Sequence, residues 1–308
     1  MIEFTCNICG QPNRSPRDGF EREEASCAGC GSNVRMRGLL RVLSSEIFGV
    51  SLTVPEFPRV KSLRGLGIGD SVLYADQLAL KFDYRNTSYD REPRLDLRDP
   101  PAGELGRYDF IVSSEVFEHV LPPAASAFDN AFRLLKPSGV LVFTVPYSTG
   151  GDTREHFGDL GDFGLAQVGD RVLLVSRTAG GAVQVHDNLV FHFGAGGPAL
   201  EMREFSESDL KTELTRSGFG EVCIYTDNYP AFGVVTAESW SLPMAARKGT
   251  LAFSRDAIRD VMEQWAGSRK NCREWAGSFW VRLGSKLGLV DLTPLIDSAR
   301  KPDQWSCR

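Results

Sequence analysis

The sequence predicts an α/β protein with a doubly wound, largely parallel sheet, a small N-terminal metal-binding module and a C-terminal helical extension. Two CxxC pairs lie within the first 30 of the 308 residues. From residue 60, short apolar runs alternate with helical stretches, which is the pattern of strands joined by helical crossovers. From about residue 241 the pattern is helical. We therefore expect a module at 1–45, an α/β domain at 46–240 with an inserted lid at about 150–200, and an extension at 241–308.

The composition is that of an ordinary globular protein. Hydrophobic residues make up 42% and charged residues 24% of the chain, and the formal net charge is -5. The N-terminal segment lacks the basic and apolar regions of a secretion signal, and no run approaches the roughly 18 apolar residues that cross a membrane. We expect a cytoplasmic protein without a transmembrane segment. The acidic balance disfavours nucleic acid as a partner.

Four cysteines form two pairs with metal-ligand spacing. "CNIC" carries Cys6 and Cys9, "CAGC" carries Cys27 and Cys30, and 17 residues separate the pairs. A glycine follows each pair, which suits a tight turn whose amides face the sulfurs. Two disulfides conflict with the lack of a secretion signal, and a redox CxxC does not need a duplicate. We predict a structural Zn²⁺ held by four thiolates, with no open coordination position.

Three arginines follow the second cysteine pair at helical spacing. They are Arg35, Arg37 and Arg41 in "NVRMRGLLRVLSSEIFG". They could form a phosphate-binding face, but a run of charges on a helix is more often solvated. We expect a solvent-exposed face here.

The α/β region divides into elements in a regular order. "RVKSLRGLGIGD" predicts the first strand and its loop, and "SVLYADQLALKF" predicts a helix. The second, third and fourth strands are predicted at "DYRNTSYD", "PRLDLRD" and "YDFIVSS". "AASAFDNAFRLL" predicts a helix ended by "KPSG", and the apolar run "VLVFTVPY" predicts a fifth strand buried on both faces. Further on, Ser206 and Gly218 are predicted to cap a helix, and the strand after it completes the predicted sheet.

Glycines at positions 65, 67 and 69 occupy the loop after the first strand. A dinucleotide fingerprint needs its third glycine at the sixth position from Gly65, where this chain has Asp70. The loop therefore does not match an NAD-binding fingerprint. The remaining GxGxG pattern resembles motif I of the class I S-adenosylmethionine-dependent methyltransferases, which have a Rossmann-like fold.

Later segments of the chain extend this resemblance. "LDLRDPP", "YDFIVSSEVFEHV" and "RLLKPSGVLVFTVPY" look like the later motifs of the same superfamily, in the correct order, so that the resemblance covers residues 60–147. More loosely, "HDNLVFH", "EMREFSESDLKTELTRSGF" and "WVRLG" resemble a bacterial, type 11-like subgroup that carries an N-terminal CxxC pair module. The resemblance implies a Rossmann-like doubly wound sheet and S-adenosylmethionine as the methyl donor.

The resemblance also implies which residues bind the donor. Gly65, Gly67 and Gly69 would wrap its methionine and ribose parts, where a Cβ would collide. Asp96 would accept a hydrogen bond from the adenine amino group, and Leu97 would cover the ring.

At the methionyl end, Ser114 and Glu115 would line the site, because ligands bind at the carboxyl ends of parallel strands. Two acids of the family pattern are missing. Leu63 stands where an acid usually precedes the first glycine, and no residue clearly matches the acid that holds the ribose hydroxyls. Asp83 and Asp90 bracket that position, and we assign it to Asp90.

Histidines are the candidates for a catalytic base. Methyl transfer is an in-line displacement, so the protein mainly aligns the reactants and supplies a base where the acceptor loses a proton. Of the four histidines, we interpret His119 in "FEHV" as structural or as part of the donor site. His156 follows the fifth strand, and His186 and His192 flank "DNLVF" in an inserted segment predicted as a hairpin and lid. We rank His156 first and His186 second.

The C-terminal region is rich in aromatic residues. Trp265, Trp275, Phe279 and Trp280 are interspersed with arginines and lysines. We expect them to pack on the catalytic domain or on a second subunit. A membrane surface or an anionic glycolipid is the alternative.

Three functions remain open from the sequence. The first is a methyltransferase acting on a small molecule, and the resemblance to the bacterial subgroup suggests a carbohydrate methylated on oxygen. The second is an RNA methyltransferase that grips RNA with its zinc module, which the net charge disfavours. The third is a non-catalytic scaffold, motivated by the two missing acids. Whether a divalent ion assists the acceptor also stays open.

Overall fold

The computed structural model describes most of the chain up to residue 266. The described residues are 1–16, 20–158, 160, 162–178, 180–194, 197–236, 238–249 and 254–266. The predicted aromatic positions Trp275, Phe279 and Trp280 lie outside them, as does the side chain of Trp265. None of the helices among the described residues has the length and apolar character needed to cross a membrane.

Strands and α-helices are numbered separately in chain order. The strands of the N-terminal half are β1 (Ile2–Thr5), β2 (Pro12–Ser15), β3 (Val60–Ile68), β4 (Phe82–Thr87), β5 (Tyr108–Ser114) and β6 (Leu135–Thr144). Those of the C-terminal half are β7 (Tyr147–Ser148), β8 (Arg154–Glu155), β9 (Phe163–Val168), β10 (Arg171–Arg177), β11 (Val183–His186), β12 (Phe191–Gly194), β13 (Gly197–Leu200), β14 (Arg203–Ser206), β15 (Glu221–Ile224) and β16 (Met244–Arg247). The helices are α1 (Val34–Phe48), α2 (Val72–Lys81), α3 (Ala125–Leu134), α4 (Glu207–Ser217) and α5 (Arg255–Ala266).

A six-stranded mixed sheet forms the centre of the fold, in the order β15-β16-β6-β5-β3-β4. Strands β4, β3, β5 and β6 are parallel, whereas β16 runs antiparallel to both of its neighbours. Because side chains alternate across a strand, Phe110 and Val112 enter the core on one face and Ile111 enters the core on the other.

Helices cover both faces of this sheet. Helices α1, α2 and α5 belong to the same core cluster as Phe110, and α3 and α4 pack in the opposite cluster. The predicted α/β fold with helices on both sides is therefore confirmed. The predicted caps of α4 are also confirmed: Ser206 Oγ accepts from the Asp209 amide at 3.2 Å, and Gly218 ends the helix with φ 108°.

Two parts of the sheet differ from the prediction. Residues 93–99 were predicted as a third strand, but only Arg94 forms a bridge, to Ser88, and the segment around buried Leu95 and Leu97 is irregular. Conversely, Met244–Arg247 were predicted to be helical, yet they form β16 between β6 and β15. Pairing with two strands outweighs the local helix preference of its two alanines.

The prediction of a solvated arginine face on α1 is wrong. Arg37 has no exposed surface and donates to Ser32 O at 2.8 Å and to Gly233 O at 2.9 Å. Arg41 is also buried and donates to Asp227 O at 2.7 Å. Both guanidinium groups satisfy backbone carbonyls of distant segments, which helical spacing alone does not indicate.

The inserted segment forms small antiparallel sheets of its own. The predicted hairpin is confirmed by the pairing of β10 with β11, and β9 adds a third strand. Strands β12 and β13 form a second hairpin, and β14 pairs with β7 and β8. The segment contacts the central fold at two places. The amide of Met202 donates to Glu118 O at 2.9 Å, and Arg203, which is fully buried, donates to Phe117 O at 3.1 Å.

Candidate functional site

The predicted glycine positions divide between strand and loop. Gly65 and Gly67 lie inside β3, and a Cβ at Gly65 would stand 2.3 Å from the ring of Phe110. Gly65 is therefore required by the packing of neighbouring strands. Gly69 follows the strand with φ 70°, a left-handed conformation that favours glycine, and its Cβ would meet Val116 Cγ2 at 3.1 Å. The loop thus abuts the segment that follows β5.

The end of β5 lies beside the Gly69 loop, and together they form a corner of the sheet that contains Gly69, Ser114 and Glu115. Ser114 is the last residue of the strand, and its Oγ lies 3.0 Å from Thr144 Oγ1 at the end of β6. Glu115 has φ 55°, which is uncommon for a residue with a side chain, and its amide donates to Thr144 O at 2.9 Å. The structure therefore brings Ser114 and Glu115 to the same edge of the sheet as Gly69.

Two arginines of the N-terminal region contact this edge. Arg22 makes a bidentate pair with Glu115, at 3.1 Å and 2.8 Å. Arg35, at the start of α1, donates to Ser114 Oγ and at 2.7 Å to both oxygens of Glu23. Although burial lowers the pKa of Arg35, the bond to Glu23 and the charge of Glu115 raise it on balance, so this side chain stays charged. Arg22 has no sequence motif that indicates this contact, and the prediction that Arg35 is solvated is wrong.

A buried carboxyl group follows the glycine loop. Asp70 accepts hydrogen bonds from the hydroxyls of Tyr74, at 2.8 Å, and Tyr84. Burial raises the pKa of Asp70 to about 7, against the opposing effect of these two bonds. In the sequence, Asp70 is informative only because it stands where an NAD-binding fingerprint has glycine, and its burial arises once β3, β4 and α2 pack together.

The residues predicted for adenine and ribose follow β4 in an irregular stretch. Asp90 is exposed and accepts from Ser88 Oγ at 2.5 Å. Asp96 accepts from the Arg98 amide at 2.9 Å, and Leu97 is buried with its carbonyl bound by Asn130 at 3.0 Å. Their roles toward a donor remain predictions.

The four clustered cysteines converge as the spacing predicts. One ligand atom from each lies within 4.8 Å of all the others. The sulfurs of Cys6 and Cys30, and those of Cys9 and Cys27, are 3.7 Å apart. Each pair forms the same turn, because the amides of the following glycines donate to the carbonyls of Cys6 and Cys27 at 2.8 Å. This geometry can hold a tetrahedral metal ion.

Three of the four histidines lie close together: His156 and His192 in the inserted segment, and His119 after β5. Glu201 contacts two of them: its Oε1 lies 2.8 Å from His156 Nε2, and its Oε2 lies 2.9 Å from His192 Nε2. The ring of His192 lies edge-on to that of His119, 5.2 Å between centroids. His186 lies apart from this bridge, against the ring of Phe157 at 5.1 Å. Between the two predicted bases, His156 is the one with a carboxylate partner in the described structure.

Glu118 adds a buried carboxyl group to the same cluster. It lies with His119 in a 3-10 helix, Phe117–His119, which begins two residues after Glu115. Burial, reinforced by the charge of Glu115, raises the pKa of Glu118 well above its ordinary value. Burial lowers the pKa of His119, so its imidazole is neutral at neutral pH. Glu118 and Glu201 were not among the predicted site residues, although the adjacent Glu and His in "FEHV" were a signal for Glu118.

Comparison with known proteins assigns the family. The family model described as "Methyltransferase domain" matches residues 28–222, which is more than half of the chain. No curated protein sequence is significantly similar.

Solved structures with similar folds include two methyltransferases and the protein DesVI. One is the 1,6-didemethyltoxoflavin-N1-methyltransferase of Burkholderia thailandensis, with 15% identity over 69% of this chain and 77% of that one, and a TM-score of 0.40. Another is CalS10, an amino pentose methyltransferase of Micromonospora echinaspora, with 14% identity over 71% of this chain and 93% of that one, and a TM-score of 0.37. The third is DesVI of Streptomyces venezuelae, with 14% identity over 69% of this chain and 91% of that one, and a TM-score of 0.36. Similarities this low carry no argument about substrate or residue roles.

Proposed function

The chain belongs to the methyltransferase domain family, and on that premise we propose that it transfers the methyl group of S-adenosylmethionine to a hydroxyl of a small-molecule acceptor. The observation that carries this proposal is the corner formed by Gly69, Ser114 and Glu115 at the carboxyl edge of the parallel strands. Ligands of open α/β sheets bind at this edge.

The charged groups of this corner fit the amino-acid end of the donor. A methionyl group carries one ammonium and one carboxylate group. Glu115 offers a carboxylate that complements the ammonium group, and Arg22 offers a guanidinium group that complements the carboxylate. Their side chains are only 18% and 15% exposed. We assign the ammonium to Glu115 and the carboxylate to Arg22, with Arg35 as a second cation. Gly65, Gly67 and Gly69 would form the loop beside it, and Asp90, Asp96 and Leu97 would take the ribose and adenine.

The four-cysteine cluster fits a structural Zn²⁺. A tetrahedron with zinc–sulfur bonds of about 2.3 Å has sulfur–sulfur edges of about 3.8 Å. The sulfur–sulfur distances of the Cys6–Cys30 and Cys9–Cys27 pairs are both 3.7 Å. With four thiolates the ion has no open position for substrate. Its role is to hold the segment that carries Arg22 against the donor site.

His156 is our candidate for the base, and His186 is the second candidate. The bound donor supplies a methyl carbon on a positively charged sulfur. Glu201 orients the His156 ring through a contact of 2.8 Å between Glu201 Oε1 and His156 Nε2. His156 would take the acceptor's hydroxyl proton, and the donor, when bound, would supply its methyl group to the acceptor oxygen and keep the electron pair of the broken carbon–sulfur bond.

The acceptor is a small hydroxylated molecule, and we propose a carbohydrate. The inserted segment contacts the turn that follows β5: the Met202 amide donates to Glu118 O and Arg203 donates to Phe117 O. The formal net charge of -5 gives no attraction to RNA. We keep the cytoplasm as the expected location.

Calorimetry tests the donor assignment. The zinc-loaded protein should bind S-adenosylmethionine and S-adenosylhomocysteine and should not bind NADH. If neither sulfur compound binds at millimolar concentration, the chain is a scaffold and the proposal fails.

A labelled-methyl assay over a panel of sugars and sugar nucleotides tests the base. Replacing His156 with alanine should leave donor affinity intact and slow turnover by about 10²-fold or more. Unchanged turnover would remove His156 as the base.

A further inference from the structure

We propose that Glu118, His119 and His192 bind a divalent transition-metal cation at the acceptor side of the methyl-transfer site. One ligand atom from each residue lies within 4.8 Å of the other two. This site is separate from the four-cysteine cluster and uses different chemistry. Its existence does not depend on the proposed function, although the role we give it does.

Glu118 supplies the strongest observation. Its side chain has no exposed surface, and neither carboxylate oxygen has a hydrogen-bond partner among the described residues. A buried polar group without a partner is costly, and a buried carboxylate is the costliest case. A cation bound by Glu118 removes that cost.

His119 is oriented to serve as a ligand. Its Nδ1 lies 2.9 Å from Leu200 O, a carbonyl that can only accept, so Nδ1 carries the proton. The lone pair is then on Nε2, which lies 3.6 Å from Glu118 Oε1. A backbone acceptor on the other ring nitrogen is the usual support of a metal-ligating histidine.

The surrounding residues hold this cluster in position. Glu201 contacts the Nε2 atoms of both His156 and His192, so one carboxylate sets the orientation of both rings. Arg203, fully buried, donates to Phe117 O at 3.1 Å and fixes the turn that carries Glu118. The three ligands therefore come from two segments that are tied together by hydrogen bonds.

The donor set selects the class of cation. Two imidazoles and one carboxylate suit Mn²⁺, Fe²⁺, Co²⁺ or Zn²⁺, whereas Mg²⁺ and Ca²⁺ prefer oxygen ligands alone. Three protein ligands also leave coordination positions open. In this respect the site differs from a four-thiolate site, which is closed.

This role rests on the proposed function: the open coordination positions of the cation bind the acceptor. A hydroxyl oxygen bound to the cation loses its proton more readily, because the cation lowers the pKa of that hydroxyl. His156, which is linked to His192 through Glu201, would take this proton. The substrate class is then a compound that presents hydroxyl oxygens as metal ligands, as sugars do.

Mn²⁺ titration followed by electron paramagnetic resonance tests the site directly. The full-length protein is first saturated with one equivalent of Zn²⁺ at the cysteines, and Mn²⁺ is the probe because it favours nitrogen and oxygen over sulfur. The signal of free Mn²⁺ should disappear for one equivalent per chain. The Glu118→Gln and His192→Gln variants should each weaken binding on the order of tenfold or more.

The matched control is Glu204→Gln. Glu204 is a half-exposed carboxylate of the same segment, paired with Arg154, and its loss should leave Mn²⁺ affinity unchanged. Thermal unfolding adds a second readout. Mn²⁺ should raise the melting temperature of the wild type and of the control but not that of Glu118→Gln, which without metal should unfold no earlier than the wild type.

Two results would overturn the site: no Mn²⁺ binding at millimolar concentration, or equal binding by both ligand variants and the wild type. If Glu118→Gln does not fold, the partly exposed His192 provides the test by itself. Mn²⁺ binding by a protein that does not bind S-adenosylmethionine would refute the methyltransferase proposal and leave the metal site standing.

Discussion

Replacing Arg22 with methionine should weaken the binding of S-adenosylmethionine selectively. Methionine keeps much of the apolar bulk of the side chain and removes the guanidinium group. In the free protein this group makes two bonds to Glu115, at 3.1 Å and 2.8 Å. We propose that the donor's carboxylate takes over a bidentate contact of this kind.

The magnitude follows from the number and kind of these bonds. A hydrogen bond to a charged group contributes about 1.5–3 kcal/mol, and Arg22 is 15% exposed, so screening is partial. Arg22 must also give up part of its pairing with Glu115. We therefore expect a net loss of about 2–3 kcal/mol for the pair, which is about 30- to 150-fold in the dissociation constant.

Calorimetry with two ligands isolates this effect. 5′-Methylthioadenosine has the same nucleoside and thioether as the donor but lacks the amino-acid group, so its affinity should not change in the variant. Arg14→Met, at an exposed position of the same module, is the matched control and should bind both ligands normally. If Arg22→Met weakens both ligands equally, or neither, Arg22 does not bind the carboxylate.

Three further predictions concern the metal cluster, the buried acid and the glycine loop. Cys9→Ser should abolish the one equivalent of Zn²⁺ found by atomic emission and lower donor affinity, and zinc-free protein with full donor affinity would contradict the role given to the module. Because the pKa of Asp70 is raised to about 7 by burial, the folded protein keeps a proton that the unfolded chain releases near pH 4. Asp70 should then lower the free energy of unfolding by up to about 4 kcal/mol as pH rises from about 4 to about 7, and the pH dependence measured by urea unfolding should be smaller by that amount in Asp70→Asn, while the contribution of Glu118 remains. An unchanged pH dependence in the variant would show that other groups cause it. Gly69→Ala and Gly169→Ala both place a side chain at positive φ, but only the first meets a neighbour, Val116, so only the first should reduce donor affinity in calorimetry.

The elements that the sequence predicted correctly are those with strong local patterns. Residues 110–112 of β5 and 140–143 of β6 are apolar runs buried on both faces, and α4 has a serine cap and a terminal glycine. Strand β16 had no such pattern. Its four residues include two alanines, and only its pairing with β6 and β15 makes it a strand.

The candidate site was predictable where it follows a motif and not where it depends on distant contacts. The glycine loop and Ser114–Glu115 come from motifs beside strands. The pairing of Arg22 with Glu115 joins residues 93 positions apart, and that of His156 with Glu201 joins residues 45 apart. The burial of Glu118 likewise depends on the inserted segment, which returns to it through Met202. Contacts of this kind arise only when the chain folds.

A crystal structure with S-adenosylhomocysteine bound tests the central claim most directly. We predict that the amino-acid end of the ligand lies between Gly69 and Ser114–Glu115, with its carboxylate within hydrogen-bond distance of the Arg22 guanidinium. A ligand bound elsewhere on the protein, with this corner of the sheet still closed by the Arg22–Glu115 pair, would contradict the account.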